Sequence, residues 1–168
     1  GAEDFKHPHI VSEVVKEMSG GELVDMEKSR KVNLDEDIYF EIIQWKTASL
    51  LSSACAVEAW STSKDEVITA RMKIFGEKTG IAFQIKDDLF DYGNDDVGKP
   101  TGNDLKEKKL TLPLIYTLNS INPAEKRKII YILKNQNKEP SKIKYVLEKV
   151  TETGGIKYAN EKMKQYRD

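Results

Sequence analysis

A chain of 168 residues is long enough to bury a core of its own, and nothing in its length demands a second domain, so a single domain over 1-168 is the expectation. Its 27 lysines and arginines against 28 aspartates and glutamates leave a formal net charge of -1, which excludes a global field for nucleic acid or an anionic membrane. Cys55 is the one cysteine, so a disulfide framework is excluded; no apolar run approaches the roughly 20 residues of a transmembrane helix, and a cytoplasmic setting is expected.

The periodicity is helical almost throughout. "DEDIYFEIIQWKTASLLSSACAVEAW" predicts one long helix, capped by Asp35, with Ile38, Ile42, Ile43, Leu50, Leu51 and Ala54 on one broad face. Cys55 falls among its small apolar residues and reads as packing, since His7 and His9 are the only histidines and lie far away in sequence. The next segment opens with Ser63 three residues before Glu66, a capping-box spacing, and runs through Val67, Met72, Ile74 and Phe75 to stop near Gly93. Gly76 and Gly80 lie inside it and each costs on the order of 1 kcal/mol of helix propensity relative to alanine, which points to close packing against another helix.

"GNDDVGKPTGND" gathers glycine, proline, asparagine and aspartate and reads as a loop over 93-104. "KKLTLPLIYTLNS" predicts a short apolar helix around Pro113, and the following one starts with Asn122 as cap, Pro123 at its first position and Glu125 closing the box. "SKIKYVLEKVTET" and "GIKYANEKMKQYR" are two further helices divided by Gly154 and Gly155. No strand pattern competes, so the predicted fold is all-α, an antiparallel helix bundle.

The chemistry gathers in "FQIKDDLFDYG". On a helical wheel with Asp87 at zero, Asp91 falls at about 40°, Gln84 at about 60° and Asp88 at about 100°, one polar stripe flanked by Phe83, Ile85, Leu89 and Phe90. Carboxylates roughly 6 Å apart at an effective dielectric of about 20 repel by on the order of 3 kcal/mol, so a cation is expected beside them. Aspartate oxygens are hard ligands suited to Mg²⁺ completed by water and phosphate oxygens. The residues alone leave a plainer reading open, in which Asp88 and Asp91 are solvated and paired by Lys86 and nearby lysines. No EF-hand or GxxxxGK loop is present, so phosphate would need separate lysines, and Lys46, Lys99 and Lys109 are the candidates. Lys46 interrupts the apolar face of its helix and is followed by Thr47.

The ordered set "GELVDM", "KTASL", "FQIKDDLFD", "GKPTGNDLKEKKLTLPL" and "TGGIKYA" resembles the C-terminal half of the trans-isoprenyl diphosphate synthases, the polyprenyl synthetase family, from about Gly20 to the end. The resemblance implies the isoprenoid synthase fold and a prenyltransferase that condenses isopentenyl diphosphate with an allylic diphosphate. It implies that Asp87, Asp88 and Asp91 form the second aspartate-rich motif and bind Mg²⁺. Lys46, Lys99 and Lys109 would hold the diphosphate, Thr47 and Gln84 would aim oxygen dipoles at an allylic cation, and Asp104 would orient the lysine loop or a metal-bound water. A homodimer in the full-length protein is implied as well.

Family members carry another DDxxD on an earlier helix and basic residues that bind isopentenyl diphosphate, and neither pattern occurs before residue 87. The expectation is therefore a fragment of a polyprenyl synthetase catalytic domain with the first aspartate-rich motif absent, inactive in catalysis alone. Two alternatives remain at this point: a non-catalytic partner or regulatory subunit of a prenyl synthase, and a related terpene synthase.

Overall fold

A computed structural model describes residues 35-93 and 101-167 and contains helices and turns, with no strand among the described residues. The helices are α1 (Glu36–Ile43), a π-helical turn (Gln44–Ala48), α2 (Ser49–Ser63), α3 (Glu66–Phe90), the short α4 (Asn103–Lys106), α5 (Leu112–Ser120), α6 (Pro123–Asn135), α7 (Pro140–Glu152) and α8 (Gly155–Arg167). They fall into two compact units. Of the described residues, the first holds Phe40–Gln84 with residues 166-167, and the second holds residues 35-39 and Ile85–Gln165.

The long helix expected over 35-60 is interrupted by the π-helical turn, and the interruption resets its buried face. Tyr39 and Ile43 are buried, then Ala48, Ser52, Ala56, Ala59 and Trp60. Along Tyr39, Ile43, Ala48, Ser52, Ala56 and Trp60 the steps are four residues except from Ile43 to Ala48, where the turn takes five. One extra residue advances the helical phase by about 100°. Leu50 and Leu51, expected on the buried face, are therefore 54% and 39% exposed, and Ala54 is exposed too.

Within the first unit, α3 packs against this segment through its glycines. A Cβ on Gly80 would lie 2.6 Å from the Cα of Ala48, and one on Gly76 would lie 2.6 Å from the carbonyl oxygen of Leu51. The helix backbones approach closer than any side chain permits, which is why residues with poor helix propensity occupy mid-helix positions. Ser52 Oγ donates to the Lys73 carbonyl at 2.9 Å and Gln44 Nε2 to Glu77 at 2.9 Å along the same seam. The start of α3 differs from the expected box: the cap is Asp65, whose carboxylate accepts from the amides of Val67 and Ile68 at 2.7 and 3.0 Å. Ser63 instead ends α2, donating to the Ala59 carbonyl.

The second unit is built on Leu105, Leu114, Leu118, Ile129, Ile132, Leu133, Ile143, Val146 and Val150, with Tyr92 packed among them. Pro113 sits in the first turn of α5, where a missing amide costs nothing. Asn122 caps α6 as its spacing predicts, accepting from Ala124 and Glu125 amides at 3.0 Å while its own side-chain amide reaches Glu125 at 3.0 Å. Gly154, at φ +82°, turns the chain out of α7 into α8.

Candidate functional site

The acidic end of α3 and the start of α4 lie in the second unit, and the three aspartates of the motif have three different surroundings. Asp87 is exposed and has no hydrogen-bond or ion-pair partner among the described residues. Asp88 is only 7% exposed and accepts a 2.7 Å hydrogen bond from the hydroxyl of Tyr39, itself 7% exposed. Asp91 follows the last helical residue, Phe90, and is 9% exposed. Its two carboxylate oxygens accept from the backbone amides of Asn103 and Asp104 at 2.7 and 3.0 Å, and its carbonyl accepts from the Gly102 amide at 2.9 Å.

These contacts set the charges. Burial pushes the Asp91 carboxyl up from the ordinary aspartate range, the amide of Asn103 pulls it down, and the negative charge of Asp104 pushes it up again. Burial, and then the charge of Asp88 that it faces, hold the Tyr39 hydroxyl well above the usual tyrosine range, so it stays a donor. Asp104 in turn accepts from Lys109 Nζ at 3.0 Å, and Glu107 lies 3.1 Å from the same ammonium. Those two hydrogen bonds raise the Lys109 pKa, against an opposing effect of burial. Lys109 was expected to face phosphate; here it is engaged by Asp104, so of the two roles expected for Asp104 the lysine-orienting one has a contact behind it. The Lys109 side chain is 58% exposed, which leaves the ammonium exchangeable.

Among the described residues no group of three or more histidine, cysteine, aspartate or glutamate side chains is arranged to hold a metal ion. Among the described residues the motif is therefore no preformed cage: two of its carboxylates are engaged by protein donors and the third is exposed. That donor set fits Mg²⁺, which keeps several waters and is ordinarily held through one or two carboxylates together with substrate phosphate oxygens.

The remaining candidates lie in the first unit. Lys46 and Thr47 occupy the π-helical turn, a distortion frequent at functional positions. Lys46 is exposed. The Thr47 hydroxyl donates to the side-chain oxygen of Gln84 at 3.2 Å, so the structure brings these two candidates together. The close approach of Gly80 to Ala48, next to Thr47 in the chain, is what lets the pair meet. Lys99 lies outside the described residues.

Sequence reasoning missed Tyr39. A tyrosine on a helix face that is otherwise apolar needs a partner for its hydroxyl, and that need was the available signal; its partner, 49 residues away, was not readable.

The sequence matches the family model described as Polyprenyl synthetase over residues 3–150. It is 32% identical over 141 residues to a short chain isoprenyl diphosphate synthase of Methanocaldococcus jannaschii, covering 83% of this chain and 43% of that protein. Among solved structures, a geranylgeranyl pyrophosphate synthase from Bacteroides thetaiotaomicron aligns with a TM-score of 0.83 at 37% identity, over 94% of this chain and 52% of that one. A polyprenyl synthase from Caulobacter crescentus, complexed with calcium and isoprenyl diphosphate, aligns with a TM-score of 0.84 at 27% identity, over 96% of this chain and 50% of that one. The chain thus spans about half the length of the relatives it matches. With an all-α fold shared with these synthases and a family match across most of its residues, the chain belongs to the polyprenyl synthetase family.

Proposed function

We propose that this chain supplies part of the catalytic domain of a trans-polyprenyl diphosphate synthase, a prenyltransferase that joins isopentenyl diphosphate to an allylic diphosphate. The observation that carries the reading is the exposed carboxylate of Asp87, without a partner among the described residues, at the end of a helix whose next two motif acids are braced by protein donors. Such an arrangement leaves one hard ligand facing outward on a stiff support. Asp87 would bind Mg²⁺ directly, with Asp88 and Asp91 adding charge and ordering the helix end. When bound, Mg²⁺ supplies charge neutralisation for the diphosphate group. The calcium and isoprenyl diphosphate of the Caulobacter synthase support a divalent cation in this role.

The protein's own groups do the rest of the work. Lys46, Lys99 and Lys109 hold diphosphate oxygens, each as a compact positive point charge. Thr47 and Gln84 present fixed oxygen dipoles where positive charge develops as the carbon–oxygen bond to diphosphate breaks. The double bond of isopentenyl diphosphate then attacks that carbon, and loss of a proton completes the condensation. No other DDxxD occurs in the 168 residues, so this chain alone is expected to bind and not to condense. A homodimeric full-length protein in the cytoplasm belongs to the same reading; no helix among the described residues is long and apolar enough to cross a membrane.

The test is calorimetric titration of the chain with an allylic diphosphate in the presence and absence of Mg²⁺. Binding should require the cation, and Asp87→Ala should weaken it by tenfold or more. Cation-independent binding, or an Asp87→Ala titration that overlays the wild type, rejects the assignment.

A further inference from the structure

We propose that Tyr39 is a positioning residue for the aspartate-rich motif, holding the Asp88 carboxylate in the orientation from which it supports cation binding. The inference rests on the metal-binding reading of Asp87, Asp88 and Asp91 given above and adds a residue to it.

Three observations lead there. The hydroxyl of Tyr39 donates to Asp88 at 2.7 Å between two residues that are both 7% exposed. A carboxylate that far from water loses its hydration and must be compensated by fixed donors, so its orientation is set by them and not by solvent. Tyr39 is also a neutral donor. A lysine or arginine in its place would cancel the aspartate charge and with it the attraction for a cation, whereas a phenol aligns the carboxylate and leaves its charge intact. Finally, Asp91 is held in the same manner, by the uncharged backbone amides of Asn103 and Asp104. The second and third acids thus each accept from a neutral donor, from α1 in one case and from the start of α4 in the other, while Asp87 stays exposed.

The test is a double-mutant cycle read with Mn²⁺ and inorganic diphosphate on the 168-residue chain, using the electron paramagnetic signal of free Mn²⁺. Tyr39→Phe removes one oxygen and keeps the ring. It should weaken Mn²⁺ binding about tenfold or more, the size typical of a lost outer partner of a ligand, while the circular dichroism spectrum stays that of the wild type. Asp88→Asn should weaken it as well, and Tyr39→Phe in the Asp88→Asn background should add little further loss, because without the carboxylate charge the orientation that the hydroxyl sets no longer matters to the cation. Equal weakening by Tyr39→Phe in both backgrounds would mean a general structural effect and overturns the inference, as does wild-type affinity in the single variant. Asp87→Ala separates the two levels. If it loses binding while Tyr39→Phe does not, the metal reading stands and the role of Tyr39 falls; if Asp87→Ala binds like the wild type, the metal reading itself falls and takes this inference with it.

Discussion

Single hydrogen bonds to carboxylates recur through the second unit, and one of them outside the acidic motif gives a clean measure of what they contribute. Tyr158 donates to both oxygens of Glu36, at 2.6 and 2.8 Å, while its ring stacks on Tyr116 with centroids 4.3 Å apart. Lys162 lies 3.6 Å from the same carboxylate. Burial, and then the bond to Glu36, hold the Tyr158 hydroxyl above the ordinary tyrosine range. A folded-state pKa above the unfolded one means that the native protein keeps a proton which the unfolded chain loses above about pH 10. The contribution is therefore complete below that pH and declines as pH rises through it. Tyr158→Phe should cost about 1.5 kcal/mol at neutral pH, as expected for a hydrogen bond to a charged group, and should flatten the loss of stability above pH 10. Lys109 and Lys149 have raised pKa values and steepen the same limb, so the difference between urea unfolding curves of wild type and variant is the quantity to read. Parallel curves from neutral pH upward would show that Glu36 gains nothing from this hydroxyl.

Helices in this chain were legible where the signal is local and obscure where it depends on phase. Asn122, Pro123 and Glu125 sit within four residues of one another and announced the start of α6, which the structure has. The acids of α3 were legible for the same reason, as were the glycines that needed a partner. The π-helical turn was not, because a single extra residue changes neither composition nor propensity; it only shifts which later side chains face inward, and Leu50 and Leu51 moved to the outside with it. The bonds from Tyr39 to Asp88 and from Asp91 to Asn103 and Asp104 span 49, 12 and 13 residues and arise only once the chain folds. The seam at Gly80 makes this level testable. Alanine is the better helix former by on the order of 1 kcal/mol, yet its Cβ would stand 2.6 Å from Ala48 Cα, a backbone atom that cannot swing aside. Overpacking of that kind costs about 1–3 kcal/mol, so Gly80→Ala should lower the melting temperature and disturb the Thr47–Gln84 pair. A variant as stable as the wild type would mean that the helices separate without penalty.

At the scale of the molecule, the apolar surface is unevenly disposed. The second unit buries its leucines, isoleucines and valines, whereas in the first unit Val67, Ile74, Phe75 and Phe83 of α3 are 60%, 57%, 58% and 63% exposed, with Leu50 and Leu51 of α2 exposed beside them in sequence order. Part of the cause is the one already seen at the seam: α3 meets its neighbour there through Gly76 and Gly80, which leave no room for a large side chain. Monomeric soluble proteins rarely leave so many large apolar groups in water. Burying a phenylalanine side chain is worth about 1.5–3 kcal/mol. The chain is accordingly expected to self-associate as its concentration rises and to enhance the fluorescence of an apolar dye. Replacing Phe75 and Phe83 together by serine should weaken that association by on the order of 3 kcal/mol or more, about a hundredfold in the dissociation constant, with helicity unchanged because both side chains lie outside the core. Sedimentation velocity over a concentration series decides it: a wild-type chain that stays monomeric throughout, or a double variant that associates as strongly as the wild type, would show that this face attracts nothing.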